Sequence, residues 1–582
     1  MGDPVLYYQA PPLPFGAIDW PTPLAFVAYT GVDPLNLGSY EGLDYLLSCA
    51  PLDASQRTTS PAPPLPFGEI DYPLPLNFGW QGASPTIYPA ATLGRSSKPA
   101  DLPANTYVPA KLNPSFPYRT ELFTGAEPLS SGTNTVGVIH LDDPDGELDN
   151  LLGVGWDGAP LQISRGSRDA LFSTWSVVGN VTAAGMLYDR HVKEIQLRDL
   201  SWLLRAAPLH DQRYTGAGGM NGDSALRGLI KPYAVGAFVG ASPVLFVGAL
   251  LCYQVSCSSV RAFTAVYDGG LALINDGDDP DYASLSVATI AAGHYRTCLA
   301  QGIFRLGGKP ALIVTVDGQG DNDTLFGHTY PSSRGQIARR IATGRGAVTL
   351  DDVTGLDNPS FTELDNKQGA AVGYYWSAEM SKAAALDECL RGCLGWWFMR
   401  LNGTLAVGVC EDPANLPPYL SLSFPAAGAG EIRVSDLTMT DYKVPRRQTF
   451  IGWAKNYTPL QINQIAGAVD IATNVILQAP TRYAGSADAW ATNSFPTGAV
   501  VQIDGGFAVS ADAQAEADRQ QGLMRSRRER YSLRAALDPF GDFIGRVIAV
   551  ANFNRLGFGA SKNFLCVGMA YSGGTTTLEL WG

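Results

Sequence analysis

Short strand-like runs follow one another through most of the chain, and they restrict the fold more than any other feature. Runs of about 5–9 residues mix apolar and polar side chains and end at Gly, Asp or Asn, as in YRTELFTG and APLQISRG. With 64 Gly and 40 Pro among 582 residues, turns are frequent. The pattern predicts an α+β protein that is mostly β.

The pattern divides the chain into five regions. A proline-rich extended arm spans residues 1–105, and a first β-barrel-like domain spans 106–205, where six short strands occur without a helix between them. A β-rich second domain spans 206–330, a helix-hairpin domain spans 331–425, and a second β-barrel-like domain spans 426–582. A chain of this length exceeds a single hydrophobic core, so several domains are expected.

Two helices are predicted in the middle of the chain. RGQIARRIATG is a short one. EMSKAAALDECLRGCLGWW is longer and has an apolar stripe at helical spacing. The stripe consists of Met380, Ala384, Leu386, Leu390 and Cys393. This helix runs into WWFMRLNGTLAVGVCE, a hairpin in which Asn402-Gly403 suits a type I′ turn.

A third helix is predicted at about 510–530, and it ends in a basic cluster. The cluster consists of Arg525, Arg527, Arg528 and Arg530. Arginines at the end of a helix complement its dipole. A contact with an acidic neighbouring subunit is the alternative interpretation.

A proline-rich phrase occurs twice near the N-terminus. PPLPFGAIDWPTPLAF at 11–26 and PPLPFGEIDYPLPLNF at 63–78 agree at twelve of sixteen positions. The prolines exclude a helix and favour extended chain that lies on another surface. We therefore expect both copies to dock on partner chains, although packing on this protein's own barrels is the alternative. The expected anchors are Phe15, Ile18, Trp20, Leu24, Phe67, Ile70, Tyr72 and Leu76.

The net charge of −13 argues against a protein that grips nucleic-acid phosphates over a broad basic face. It is compatible with a surface along which DNA passes without binding stably. The start of the chain, MGDPVLYYQA, lacks the basic and apolar regions of a secretory signal. The most apolar run, residues 234–255, contains Pro243 and glycines, so we expect buried strands with a loop and no membrane span.

No cofactor is expected, but two kinds of metal site remain open as alternatives. Cys389, Cys393 and Cys410 supply thiols on the predicted helix and hairpin, and three thiolates can hold a metal or an iron–sulfur cluster. The simpler interpretation is that these are buried apolar positions.

Two acidic runs contain enough carboxylates for Ca²⁺, but neither fits an EF-hand loop. They contain Asp276, Asp278, Asp279 and Asp281 in the first run, and Asp317, Asp321 and Asp323 in the second. Solvated turns are the simpler interpretation.

No catalytic constellation is evident. Gly222-Asp223-Ser224 is similar to the nucleophile motif of some hydrolases, but it follows a glycine-rich stretch and favours a loop. The histidines are too far apart for a local metal pair. His140 and His191 are expected in the barrel core or wall, and His210-Asp211 in a loop. The chain is not expected to be an enzyme.

Four phrases in order resemble the tail hub, or baseplate hub, proteins of long-tailed bacteriophages and gene transfer agents. VIHLDDPDGELDNLLGVGWDGAPLQISRG is similar to the first hub barrel, and LRGLIKPYAVG with FTAVYDGGLAL to the second segment. VGYYWSAEMSKAAALDECLRGCLGWWFMRLNGTLAVG is similar to the helix-hairpin domain, and NFNRLGFGASKNFLCVGMAYSGGTTTLELWG to the terminal barrel. The resemblance covers about 460 residues.

The resemblance implies a structural protein of the virion tail tip, assembled in the host cytoplasm. A homotrimer would place two barrels per chain in a pseudo-sixfold ring that caps the tail tube. Its partners would be the distal tail or tail tube protein and tail-tip fibres or neighbouring baseplate proteins, with DNA passing through the channel on ejection. A receptor-binding or adhesin protein of the tail tip is the main alternative, and a tail-associated cell-wall hydrolase is another.

Overall fold

The computed structural model describes residues 98–101, 107–113, 117–167, 170–325, 327–423, 434–538, 540–551, 561–572 and 575–582, together with four short strands between residues 43 and 96. The strands up to residue 198 are β1 (Leu43–Cys49), β2 (Leu52–Asp53), β3 (Ile87–Ala91), β4 (Arg95–Ser96), β5 (Tyr107–Val108), β6 (Tyr118–Thr124), β7 (Glu127–Val136), β8 (Val138–Asp142), β9 (Val154–Gly155), β10 (Pro160–Ser167), β11 (Ser176–Tyr188) and β12 (Val192–Arg198).

The strands of the middle region are β13 (Tyr233–Ala241), β14 (Val244–Val247), β15 (Cys252–Gln254), β16 (Val260–Asp268), β17 (Leu271–Ala272), β18 (Ile274–Asp278), β19 (His294–Cys298), β20 (Ile303–Leu306), β21 (Val314–Asp321), β22 (Gly373–Trp376), β23 (Gly395–Met399) and β24 (Leu405–Val409). The remaining strands are β25 (Leu420–Ser423), β26 (Val434–Lys443), β27 (Gln448–Trp453), β28 (Arg482–Ala487), β29 (Val500–Phe507), β30 (Arg528–Ala535), β31 (Val547–Ala551), β32 (Ser561–Ser572) and β33 (Thr575–Trp581).

The helices of the described residues are short and few beside these strands. They are α1 (Ser201–Ala206), α2 (Tyr282–Val287), α3 (Arg334–Thr343), α4 (Asn358–Lys367), α5 (Lys382–Arg391), α6 (Ile471–Gln478), α7 (Ala489–Ser494) and α8 (Ser510–Met524). The predicted α+β class with mostly β structure is confirmed.

A six-stranded sheet has the order β3-β1-β10-β11-β12-β8. Its strands from β8 to β12 occur where the short sequence runs predict them, and Ile139, Leu161 and Ile195 are buried in its core. β1 pairs antiparallel with β10 and also with β3. Part of the region 1–105 therefore belongs to a sheet, where the sequence predicts an irregular arm. LDYLLSC contains no proline, so its backbone N–H groups are all available to the ladder.

The hairpin β6–β7 lies in a second, larger sheet with the order β24-β23-β7-β6-β32-β33-β30-β26. Tyr118 pairs with Tyr571 across β6 and β32, and Phe123 packs edge-on against Trp581 with ring centroids 5.4 Å apart. The sequence assigns β6 to the region 106–205 and its partner to the region 426–582. Pairing over such a separation leaves no local signal, because the hydrophobic pattern of a strand does not identify its neighbour.

Two five-stranded sheets form the middle region, with the orders β17-β16-β21-β13-β22 and β14-β15-β20-β19-β18. The apolar run at 234–255 forms β13, β14 and β15, which confirms the prediction of strands with a loop. β13 is apolar throughout because it is a central strand and is buried along most of its length.

Helices α3 and α5 pack antiparallel, and each begins with a buried basic side chain that donates to carbonyl groups near the end of the other. Arg334 is the first residue of α3, and its guanidinium donates to the carbonyl oxygen of Cys389 near the end of α5. Lys382 is the first residue of α5, and its Nζ donates to the carbonyl oxygens of Ile341 and Gly344, each at 2.7 Å. Both side chains are fully buried. The last carbonyls of a helix have no partner within it, and these side chains supply donors to them.

Both middle helices occur where the sequence predicts them, but the predicted stripe of the second is partly wrong. α5 begins at Lys382, after Met380, and Ala384 faces solvent, whereas Ala385 and Cys389 are buried. The predicted stripe includes Met380 as a helical residue, but Met380 precedes the helix. Ser381 is instead the N-cap, with its side chain accepting from the N–H of Ala384.

The turn of the β23–β24 hairpin is also different from the predicted type I′. Only Gly403 of the pair Asn402-Gly403 has positive φ, at 90°. Its N–H donates to the carbonyl oxygen of Arg400, and the N–H of Arg400 donates to Thr404. This is a three-residue loop in which a turn is followed by a left-handed glycine.

Candidate assembly surface

The eight predicted docking residues, Phe15, Ile18, Trp20, Leu24, Phe67, Ile70, Tyr72 and Leu76, lie outside the described residues. Their docking role stays a prediction. The other predicted site residues are described, and the structure shows what each one contacts.

The three candidate cysteines of the helix and hairpin are buried thiols. Cys389 Sγ donates to the carbonyl oxygen of Arg334, and Cys393 Sγ donates to that of Leu390 at 3.3 Å. Burial raises the pKa of Cys389 to about 12 and the pKa of Cys410 also lies above its ordinary value. Raised pKa values favour the protonated thiol, whereas metal ligation needs the thiolate. In the described part of the chain, no three His, Cys, Asp or Glu side chains form a metal-binding group.

The first acidic run is held by groups of the protein. Asp276 lies 2.7 Å from His294 Nδ1, and Asp279 forms two hydrogen bonds with Arg296, at 2.8 and 2.9 Å. Asp281 is the N-cap of α2. The run therefore begins in strand β18 and ends at the N-cap of α2, whereas the sequence predicts a solvated turn.

The second acidic run lies on and just after β21. Asp317 accepts from the N–H of Gly240 at 2.7 Å, and burial raises its pKa. Asp321 is fully buried and accepts from the hydroxyl of Tyr233 at 2.6 Å, while Arg345 lies within hydrogen-bonding distance of both Asp321 and Asp323. These carboxylates join β13 and β21 to the segment after α3, and they are not in a solvated turn.

The candidate catalytic residues do not come together. Asp223 accepts from the N–H of Gly248, and Ser224 opens a short 3₁₀ turn. His191 is exposed in the turn before β12, which contradicts its expected place in a barrel core or wall, and His140 is half-exposed on β8 beside Glu194. Asp189, two residues before His191, is a residue type that favours turns and could have indicated this.

His210 is buried in a loop, with 3% of its surface exposed, and its ring packs edge-on against Tyr233 at 5.8 Å. Burial and the nearby Arg345 lower the pKa of His210 to about 4, from 6.5. Between these values the unfolded histidine binds a proton that the folded one excludes. The free energy of unfolding therefore falls as the pH falls through this window.

We expect the substitution His210→Gln to reduce this acid destabilisation by about 3 kcal/mol between pH 6.5 and pH 4. Urea unfolding of both proteins across this pH range measures it. His191→Gln is the matched control, because His191 is exposed. Parallel pH profiles for the wild type and His210→Gln would contradict the prediction.

Only Arg525 of the basic cluster lies at the end of a helix, whereas the sequence predicts this place for the whole cluster. α8 ends at Met524, Arg525 follows as its C-cap, and Arg528 and Arg530 lie on β30. Arg528 pairs with Asp412 through two hydrogen bonds of 3.0 and 3.1 Å. The pairing of β30 with β26 and β33 overrides the helical propensity of this segment.

Arg530 and Arg527 have acidic partners in the same chain. Arg530 lies between Glu121 and Glu579, and Arg527 lies 3.1 Å from Glu529. Arg525 is the most exposed member, 3.9 Å from Asp488. Most of the cluster therefore joins parts of one chain.

A buried ion cluster lies beside the six-stranded sheet, and sequence reasoning missed it. Lys111 lies within 3.2 Å of Asp143 and Glu147, and Lys193 lies within 3.3 Å of Asp143 and Asp149. Burial opposes the charge of Lys111, but the carboxylates raise its pKa above the ordinary value. Alternating acids in DDPDGELD were the available signal. In the structure, these carboxylates hold their loop around Lys111 and Lys193.

Helix α6 is the feature that fits a surface for assembly. It has no buried residue, and Ile471 and Val475 expose 85% and 64% of their surfaces. They are four residues apart and so share one face of the helix. Exposed Ile462, Ile476 and Leu271 accompany them, and these five side chains are called the α6 surface below.

Backbone and side-chain contacts hold the α6 surface in place. Leu477 and Val469 lie against Gly270 in the turn between β16 and β17, next to Leu271. The N–H of Leu460 donates to the carbonyl oxygen of Leu477 at 2.9 Å, which brings the segment of Ile462 beside the helix. Fully burying one such aliphatic side chain contributes about 1.5–3 kcal/mol of favourable free energy. A partner that covers this surface therefore gains several such contributions to its binding free energy.

A second exposed apolar feature lies at the tip of the β11–β12 hairpin. Leu187 and Tyr188 are exposed at the end of β11, and Arg190 is exposed in the turn. Asp189 fixes this turn, because its carboxylate accepts from the N–H groups of His191 and Val192 at 2.6 and 2.7 Å. Within the described residues, Arg190 forms no ion pair.

Solved structures that match the chain include tail proteins of bacterial or prophage origin and a gene transfer agent particle. The tail protein from Neisseria meningitidis MC58 matches at 10% identity over 82% of this chain and 93% of its own, with a TM-score of 0.32. The 43 kDa tail protein of prophage MuSo2 from Shewanella oneidensis matches at 9% identity over 80% and 93%, with a TM-score of 0.28. A chain of the native gene transfer agent particle matches at 12% identity over 61% and 84%, with a TM-score of 0.35.

No protein-family model and no curated protein matches the chain. Phage-like tails and gene transfer agents are also the particles whose hub proteins the ordered sequence phrases resemble. Among the described residues, no helix is long and apolar enough to cross a membrane.

Proposed function

We propose that this chain is a structural hub of a phage-like tail tip or baseplate. Three copies form a ring that caps the tail tube, with the two barrel-like domains of each chain arranged in pseudo-sixfold symmetry. The ring joins the distal tail protein to tail-tip fibres or neighbouring baseplate proteins, and DNA leaves through its channel. It acts in the virion after assembly in the host cytoplasm.

The observation that carries this proposal is the exposed α6 surface. The described chain otherwise has well-buried cores, with residues such as Trp397 and Trp581 fully enclosed. A short apolar helix with no buried residue contrasts with that packing, and contiguous exposed apolar patches mark interaction sites. An assembly protein needs such a surface, whereas an isolated monomer gains nothing from it.

The charge of the chain supports the channel role. A net charge of −13 repels a passing duplex, so DNA moves through the ring without adhering. The candidate nucleophile, the histidines and the acidic runs are separated or held by structural partners, and this arrangement favours a structural role over catalysis. The two proline-rich phrases act as docking segments for neighbouring tail proteins.

We expect the purified chain to have a mass of three copies, about three times its 61.9 kDa, in light scattering coupled to size-exclusion chromatography. Cryo-electron microscopy of tails should show three copies around the channel at the tail tip. A chain that stays monomeric at every concentration and is absent from tails would contradict the proposed function.

A further inference from the structure

Two exposed surfaces of this chain are complementary: one is apolar with an acidic border, and the other combines apolar side chains with an arginine. The α6 surface is apolar, and the first acidic run begins a few residues beyond Leu271. That run contains four aspartates against the single arginine, Arg296, which pairs with Asp279. The tip of the β11–β12 hairpin combines apolar Leu187 and Tyr188 with the cation of Arg190.

We propose that the β11–β12 tip of one copy docks on the α6 surface of the next copy in the ring. Leu187 and Tyr188 cover Ile471 and Val475, and Arg190 pairs with Asp276 on the acidic border. Asp276 pairs with His294, and both side chains are partly exposed. The carboxylate of Asp276 is therefore accessible to a second cation. This inference rests on the proposed function, because it names the contact through which the trimer forms.

The contact is head-to-tail, because the two surfaces are different parts of the same chain. The tip belongs to the six-stranded sheet, and the α6 surface lies against the β16–β17 turn of another sheet. A head-to-tail contact whose rotation closes generates a ring, whereas a contact between two copies of the same patch generates a twofold dimer. The arrangement therefore fits three copies around an axis.

Charge reversal tests the ionic part of the contact. We expect Arg190→Glu and Asp276→Lys each to raise the trimer dissociation constant at least about tenfold, measured by sedimentation at low ionic strength, where exposed pairs are least screened. The double variant should return the constant to within about threefold of the wild type, because the pair is restored with its signs exchanged. Arg227→Glu is the matched control, since Arg227 is exposed and lies outside both surfaces.

A cross-linking experiment tests the apolar part without depending on affinity. The variant Tyr188→Cys/Ile471→Cys should form disulfide-linked trimers under mild oxidation, whereas each single variant should not. The background is low, because six of the seven described cysteines are buried.

Failure of the inferred contact and failure of the proposed function give different results in these experiments. If the wild type is a trimer that the charge reversals do not weaken and the cysteine pair does not cross-link, the inferred contact is overturned and the proposed function stands. If the wild type itself is monomeric in solution and absent from tails, both are overturned.

Discussion

The substitution Arg334→Met is expected to lower the free energy of unfolding by about 2–4 kcal/mol. Arg334 is fully buried, and its guanidinium donates to the carbonyl oxygens of Cys389 and Gly505 and to the hydroxyl of Tyr374. Methionine fills most of the volume but donates nothing, so the carbonyl of Gly505 loses this donor and the carbonyl of Cys389 keeps only the hydroxyl of Tyr374. Each unpaired buried acceptor costs about 1–3 kcal/mol, partly offset because the cation no longer has to be buried.

Chemical unfolding followed by tryptophan fluorescence measures this loss, because Trp376 and Trp397 lie in the same core. Arg391→Met is the matched control, since Arg391 is exposed at the end of α5. Equal midpoints for the two variants would show that the buried guanidinium does not stabilise the α3–α5 pair.

The substitution Lys382→Met is expected to change stability in a pH-dependent way. Burial lowers the pKa of Lys382 from 10.5 to about 7. Between these values the unfolded lysine binds a proton that the folded lysine has released, so the free energy of unfolding of the wild type rises with pH. Relative to Lys382→Met, the wild type should gain about 1.4 kcal/mol per pH unit between pH 7.5 and pH 9.5.

Urea unfolding of both proteins across this pH range tests the expectation. Lys309→Met serves as the control, because Lys309 is exposed. A flat difference would mean that the hydrogen bonds to Ile341 and Gly344 hold the ammonium charged, so that the folded pKa stays near its ordinary value. In that case the substitution would act only through the two unpaired carbonyls.

Much of the secondary structure was predictable, because its causes are local. The strands β10, β11 and β12 follow runs that end at turn residues, and α3 is preceded by the N-cap Ser333, which forms a capping box with Gln336. The pairing of β6 with β32 was not predictable, since any strand with the right alternation satisfies the same pattern. The same limit applies to Arg528 and Arg530, which the sequence predicts at a helix end and which lie on β30 because of its pairing with β26 and β33.

The candidate site was harder to predict, because burial depends on tertiary contacts. An arginine or lysine at the start of a helix usually lies in solvent, and nothing in RGQIARR or SKAAALDE marks Arg334 and Lys382 as buried. The apolar sequence of α6, IATNVILQ, resembles that of a core helix, and only the structure shows that it is exposed. The ordered phrases that resemble hub proteins were visible from sequence alone.

The large sheet that joins β6 to β32 has a consequence for how the chain is made. Tyr118 and Met569 are in contact although 451 positions separate them, so β6 cannot acquire its partner until nearly the whole chain has been synthesised. At about 5–20 residues per second, the β6–β7 hairpin waits roughly 20–90 s with one edge unpaired. An open strand edge on a nascent chain invites pairing with other chains, so correct folding depends on protection of that edge during translation.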